Sequence, residues 1–373
     1  MTSSTSSGQP PLAQRLLDAF RRGVDAPLDD FGAWALEAFA YQFERNAPYR
    51  RFCERRGAVP GRVRRWEEIP AVPTAAFKEV PLLCGRPEDA EAVFRTSGTS
   101  RGAARRGTHY VLDLELYRAS ALPNFEAHLL PDGARPRMLL LAPAAAQAPD
   151  SSLGRMFDWV SAAFGAPGSE GFVDERGLDV DRLVDAVRRA DADGVPVCLL
   201  GTAFAYVHLF DALAARGLRL RCPPGSRALE TGGLKGRARE VTREELYAGF
   251  AERLGLPQVA VVAEYGMTEM CSQFYEPVWR EHVRTGAAGP RRFRPPPWVR
   301  TLVVDADTLE PVPAGQVGLL RHLDLANLHS VCALQTDDLG IAVADGFRLL
   351  GRATGAEARG CSLAFDEWMA ATR

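Results

Sequence analysis

No two of the seven cysteines form a C-x-x-C pair, and their odd count leaves no complete disulfide set. Neither a disulfide framework nor a zinc site is indicated. Cys198, inside VPVCLLG, reads as a small buried apolar residue. Charge of one sign is also missing. The formal net charge is −2, which argues against a general binder of nucleic acid or membrane surfaces. The basic clusters Arg101–Arg106 and Arg291–Arg294 are short and read as solvated faces. No run approaches the ~18 apolar residues of a membrane span. The Ser/Thr-rich start lacks an apolar signal core and reads as a disordered tail over 1–10, with the cytoplasm as the expected compartment. There is no internal repeat, and no Walker loop G-x-x-x-x-G-K-[ST].

What is present is the composition of an ordinary globular chain, 46% hydrophobic and 25% charged over 373 residues. Residues 11 to about 57 read as helical, with Phe31, Trp34, Ala38 and Tyr41 at core-packing intervals. From about Arg137, strands and helices alternate. RMLLLAP, VPVCLLG and QVAVVAEYG have the continuous apolar character of buried parallel strands. Val180, Leu183, Val184 and Val187 line one helical face, and Thr242 with Glu245 forms a capping box. Past residue 294 the strands shorten and turns multiply. The expectation is an α/β fold with a largely parallel sheet in one lobe over 11–294. A small β-rich subdomain follows over 295–350, then a terminal segment over 351–373.

Three segments carry residues suited to chemistry. FRTSGTSRGAARRG packs Thr96, Ser97, Gly98, Thr99 and Ser100 into a loop able to wrap phosphate oxygens with N–H and O–H donors. LETGGLKGRARE places Gly232 and Gly233 where a flat ligand could approach, and Lys235 where a cation could meet carboxylate or phosphate. VAVVAEYGMTEMCSQFYE ends a buried strand in Tyr265, Gly266, Met267, Thr268 and Glu269, and open α/β sheets bind ligands beyond the carboxyl ends of their strands. A tyrosine there suits a base, a threonine a phosphate, a glutamate a magnesium ion. The apolar stretch LLGTAFAYVHLFDAL reads as core helix before it reads as an acyl pocket wall.

In the order T-S-G-T-S, T-G-G, Y-G-M-T-E, these segments resemble the signatures of the adenylate-forming superfamily of acyl-CoA synthetases, peptide-synthetase adenylation domains and luciferases. QTDDLG, with Thr336 and Asp338, resembles the later T-G-D signature, and Gly351 with Arg352 resembles the start of the hinge signature. IPAVPTAAFK, DSSLGRMF, TGGLKGR, the stretch Asp324 to Asn327 and RGCSL are similar to the acyl-protein synthetase branch. That branch includes the fatty-acid-activating subunit of bacterial luminescence reductase complexes.

The resemblance implies roles. Thr96 to Ser100 would cradle ATP phosphates, Gly232 and Gly233 line the acyl and adenine slot, and Tyr265 stack on adenine in the turn shared with Gly266 and Met267. Thr268 would contact the α-phosphate, Glu269 hold Mg²⁺, Asp338 bind ribose, and Arg352 reach the nucleotide. The phosphate loop lacks its usual lysine, which Arg105 or Arg106 could replace, and Asp337 stands where glycine is usual. Only 21 residues follow Arg352, none of them lysine, so the family's C-terminal lobe is expected to be essentially missing. Lys235 is then the candidate for stabilising reacting charge. Cys361, on an expected flexible end beside Arg359, is the candidate thiol for self-acylation. The activity that the resemblance implies is ATP-dependent activation of a carboxylic acid, a fatty acid in that branch, to acyl-AMP. The acyl group then passes to a thiol and on to a partner such as a reductase. The alternatives are transfer to coenzyme A or a carrier protein, or a ligand-binding homologue that has lost catalysis.

Overall fold

The computed structural model describes residues 11–96, 106–232, 241–353 and 359–372, with the backbone alone at 359–364 and 372. Along the chain come helices α1 (Pro11–Arg21), α2 (Phe31–Arg45) and α3 (Ala47–Arg55), then the short strand β1 (Val72–Pro73). A 3-10 turn over Thr74–Lys78 leads to the hairpin of β2 (Ala92–Arg95) and β3 (Thr108–Val111). Next come α4 (Leu114–Leu129), β4 (Arg137–Leu141), α5 (Ser152–Phe164), β5 (Glu170–Gly171), β6 (Val173–Asp174) and β7 (Gly177–Leu178). The alternation continues with α6 (Val180–Asp193), β8 (Val197–Thr202), α7 (Ala203–Ala215), β9 (Arg227–Thr231), α8 (Arg243–Leu254) and β10 (Val261–Tyr265). After β11 (Phe274–Tyr275) and α9 (Val278–Thr285) come β12 (Val299–Val304), β13 (Val317–Asp324), β14 (Ala333–Val343), β15 (Gly346–Arg352) and α10 (Arg359–Thr372).

The expected α/β architecture is present. Six strands form one sheet in the order β11-β10-β9-β8-β4-β5, parallel except at β11. Its central strands are buried along nearly their whole length, because helices cover both faces. On one face Leu139, Leu199 and Val261 meet Leu183, Val187, Tyr206 and Phe250 of α6, α7 and α8. On the other, Met138, Leu140 and Leu200 join the core that includes Phe125 and Phe157 of α4 and α5. The capping box of Thr242 and Glu245 opens α8, and Gly255 ends it in the left-handed region at φ +67°. Of LLGTAFAYVHLFDAL, α7 buries Tyr206, Leu209, Phe210 and Leu213, as expected of a core helix.

The second sheet is antiparallel in β12, β13, β14 and β15. β14 has β13 along one edge, and its other edge is shared by β15 and the parallel β1. One hydrophobic core spans α1 to α3, one face of the first sheet and the buried side of the second. The chain end is helical rather than flexible. Trp368 is fully buried with its ring 5.0 Å from Phe52 of α3, and Arg56 pairs with Glu367. Two apolar anchors one turn apart, Trp368 and Ala371, hold this helix down. Among the described residues, no helix is long and apolar enough to cross a membrane.

Candidate active site

The site is assembled where the first sheet ends and the second begins. β10 delivers Tyr265 at its carboxyl end, and the chain then turns through Gly266 to Glu269. A Cβ on Gly266 would lie 2.4 Å from a carboxylate oxygen of the buried Glu264, so this position has no room for a side chain. The ring of Tyr265 packs among Phe274, Phe293, His322 and Phe347. Its hydroxyl donates to Asp338 at 2.8 Å. Asp338 stands opposite Arg352 in the β14–β15 register, with the guanidinium 3.4 Å away. Burial raises the Asp338 carboxyl above the usual aspartate range. Asp337 beside it is exposed.

The β2–β3 hairpin brings Thr96 and Gly107 to the same place. At its neck, the Thr96 N–H donates to the Gly107 carbonyl at 3.0 Å, and the Gly107 N–H donates to Thr96 Oγ1 at 2.9 Å. A Cβ on Gly107 would stand 3.0 Å from Thr96 Cγ2 and 3.5 Å from Glu269 Oε1, so Thr96 and Glu269 face each other across this glycine. Arg106 clamps the neck, bonding Asp150 at 2.7 Å and the Arg95 carbonyl at 3.0 Å. That engagement leaves it poorly suited to replace a phosphate-binding lysine. Ser97, Gly98, Thr99, Ser100, Arg105, Gly233 and Lys235 lie outside the described residues.

Glu269 is buried, and burial raises its carboxyl to about 7; Arg352 and Lys78 act in the opposite direction. One buried carboxylate beside hydroxyl donors fits magnesium, which is held by one or two carboxylates plus substrate phosphates. Among the described residues no cluster of three His, Cys, Asp or Glu forms a closed metal cage. Thr231 ends β9 with its hydroxyl bonded to Glu264, and Gly232 follows at φ +85°, with no atom of a described residue within 4 Å of its Cβ direction. The left-handed backbone, rather than close packing, calls for glycine at 232.

Several supporting residues were not visible in the motifs. His109 on β3 is buried, and its Nδ1–H donates to the Thr268 carbonyl at 2.7 Å. Burial pushes this imidazole down to about 4, so it is neutral. Asp324, fully buried, accepts from the Cys271 N–H at 2.9 Å, from Ser272 Oγ at 2.7 Å and from the Ala326 N–H at 3.0 Å. Asn327 donates to the Glu269 carbonyl at 2.9 Å and to Val331 at 2.8 Å. These bonds brace the Y-G-M-T-E turn. The signal available beforehand was the D-L-A-N stretch, but its partners lie more than fifty residues away.

The thiols divide sharply. Cys53, Cys84, Cys198, Cys222, Cys271 and Cys332 are all buried. Burial pushes Cys53, Cys198, Cys222 and Cys332 up to about 12, and raises Cys84 and Cys271 as well. None can readily ionise to attack an electrophile. The seventh, Cys361, belongs to α10, two turns before Trp368; its side chain lies outside the described set.

Comparison with known proteins supports the same reading. The family model described as "Acyl-protein synthetase, LuxE" matches residues 155–370, more than half of the chain. The chain belongs to the acyl-protein synthetase family. A long-chain-fatty-acid–luciferin-component ligase of Vibrio harveyi is 28% identical over 311 residues, covering 82% of this chain and 77% of that protein. Among solved structures, an open conformation of 2-hydroxyisobutyryl-CoA ligase, in complex with 2-HIB-AMP and CoA, superposes with a TM-score of 0.59. It is 18% identical over 95% of this chain and 83% of its own. The fold is thus that of adenylate-forming ligases. The chain spans about half of ATP-bound MatB from Rhodopseudomonas palustris, 49% of that chain and 72% of this one, at a TM-score of 0.48 and 17% identity.

Proposed function

We propose that this protein activates a long-chain fatty acid with ATP and transfers the acyl group from acyl-AMP to a thiol, that of its own Cys361. The convergence of Thr96 with Glu269 across Gly107, next to the Tyr265–Asp338–Arg352 chain, carries the reading. It joins segments scattered from residue 96 to residue 352 around one place. Thr96 to Ser100 and Thr268 bind the phosphates. Gly232 and Gly233 border the adenine and acyl slot, with Tyr265, Gly266 and Met267 on the base side. Asp338 accepts from the ribose hydroxyls and Arg352 reaches the nucleotide. Glu269 would hold Mg²⁺, which supplies charge neutralisation at the phosphates when bound. Lys235 stays a candidate for the reacting carboxylate.

The long-chain acid follows from the name of the Vibrio relative. Cys361 is the thiol that the resemblance implies, and the burial of the other six, which makes them hard to ionise, supports it. A reductase is the acceptor partner this reading expects. A second reading, delivery to an external thiol such as coenzyme A or a carrier-protein arm, is favoured by the helical anchoring of α10 through Trp368, which restrains position 361.

The test is ATP–pyrophosphate exchange across a panel of acids, followed by intact-mass analysis. Exchange with long-chain acids and a hydroxylamine-sensitive acyl adduct, lost in Cys361→Ala, is expected. Exchange with no adduct, together with thioester formation on added coenzyme A or carrier protein, would establish the second reading. No exchange with any acid would remove adenylation altogether.

A further inference from the structure

Of the 45 Lys and Arg residues, only Lys78 and Lys235 are lysines. A lysine is therefore not the default surface cation of this chain, and Lys78 stands in an unusual position. β1 pairs with β14 through Val72↔Leu334 and Pro73↔Gln335, so the chain enters its 3-10 turn a few residues from Asp338 on the same strand. The turn packs against β3, which leaves the phosphate-loop hairpin, against β14, and against α10. Phe77 is buried with its ring edge-on to His109, centroids 5.6 Å apart, and His109 is bonded to the Thr268 carbonyl. Lys78 is thus tied through two rigid contacts to the Y-G-M-T-E turn.

Its neighbours Ala76 and Phe77 are buried while Lys78 is exposed. It has no ion-pair or hydrogen-bond partner among the described residues, and its charge acts on buried Glu269. Among the described residues, Arg352 pairs with Asp338 and Arg106 with Asp150. A compact ammonium with three donors on a flexible stem, unpaired and facing solvent, suits phosphate oxygens.

We propose that Lys78, at the end of the IPAVPTAAFK stretch and outside the nucleotide signatures, contacts the phosphates of ATP and stabilises the charge that develops during adenylation. The inference rests on the adenylation reading above. In that step a carboxylate oxygen of the acid bonds to the α-phosphorus. The bond from the α-phosphorus to the oxygen bridging to the β-phosphate breaks, and pyrophosphate leaves with the electron pair. Lys78 transfers no proton in this step.

Lys78→Ala and Lys78→Gln are compared with wild type in ATP–pyrophosphate exchange, and in thioester formation from supplied acyl-AMP. Expected is a loss of about 10²-fold in exchange rate, the size found when a charge-stabilising donor is removed, with the melting midpoint and the acyl-AMP half-reaction unchanged. Lys78→Arg should recover part of the rate, and added ethylammonium should partly rescue Lys78→Ala. Exchange at the wild-type rate in both variants would overturn the assignment. So would equal losses in both half-reactions with a lowered melting midpoint and no amine rescue, which is how a purely structural role behaves. Wild-type protein inactive in exchange with every acid would instead sink the adenylation reading beneath it.

Discussion

Glu269 shows how a single side chain in the Y-G-M-T-E motif takes its properties from burial. Its carboxyl is raised to about 7 because the charged form is desolvated, against the pull of Arg352 and Lys78 and with Asp338 adding to the rise. A carboxyl raised on folding binds more protons folded than unfolded between about 4.5 and 7, so its contribution to stability declines as pH rises through that window. Glu230 and Glu264, also raised to about 7, act the same way. The buried histidines oppose them. His109 is pushed down to about 4, and His128 and His322 to about 3, so their share of stability is lost as pH falls below 6.5. The two sets offset each other in the wild-type melting curve, which therefore does not report on Glu269. The difference between Glu269→Gln and wild type does. Without magnesium, the variant should gain in relative melting temperature from about pH 5 to about pH 7.5 and then level off, because only the wild type must charge a buried group. A difference independent of pH would show that Glu269 titrates normally. The motif pointed to Glu269 for its carboxylate; only the packing around it shows that this carboxylate titrates near neutrality.

At the scale of elements, α10 decides how the terminal thiol can work. The sequence led to an expectation of a loose end, because so few residues follow Arg352. The structure has a helix instead, anchored by Trp368 on Phe52 and by Glu367 on Arg56. The same helix packs against β1, β14 and the turn carrying Lys78, elements that border the nucleotide side of the site. Position 361 lies about 10 Å along the helix from that anchor. Trp368→Ala removes the anchor while leaving the Tyr265–Asp338 contact in place. Acyl loading on Cys361, read by intact mass, should fall about tenfold or more, since misplacing a reacting group by an ångström or so has effects of that order. ATP–pyrophosphate exchange should hold within about threefold. Equal losses in both would show that the helix supports the whole fold rather than the thiol. The docking partner Phe52 was not legible in the sequence, because that residue lies more than three hundred positions earlier.

For the whole molecule, the proposed nucleotide site joins two sheets. Tyr265 ends a strand of the parallel sheet, and Asp338 belongs to β14 of the antiparallel one. A ligand gripped by both should stabilise the folded chain by mass action, about 2.7 kcal/mol at a hundred times its dissociation constant. Mg·ATP at millimolar levels should therefore raise the melting temperature by several degrees, and Asp338→Ala should lose most of that rise. No rise in wild type would argue against nucleotide binding at this junction. The sequence alone determined the layered α/β class, the core face of α6, the core character of α7, the capping box of α8 and the order of the motif segments. Each of these follows from local periodicity and turn chemistry, which act over a few residues. Which segments meet was decided only by tertiary structure. Thr96 faces Glu269 across Gly107, His109 holds Thr268, and Asp324 braces Cys271 and Ser272. Those pairings are made by strand register and by buried hydrogen bonds across 50 to 170 residues, and no local pattern records a partner that far away.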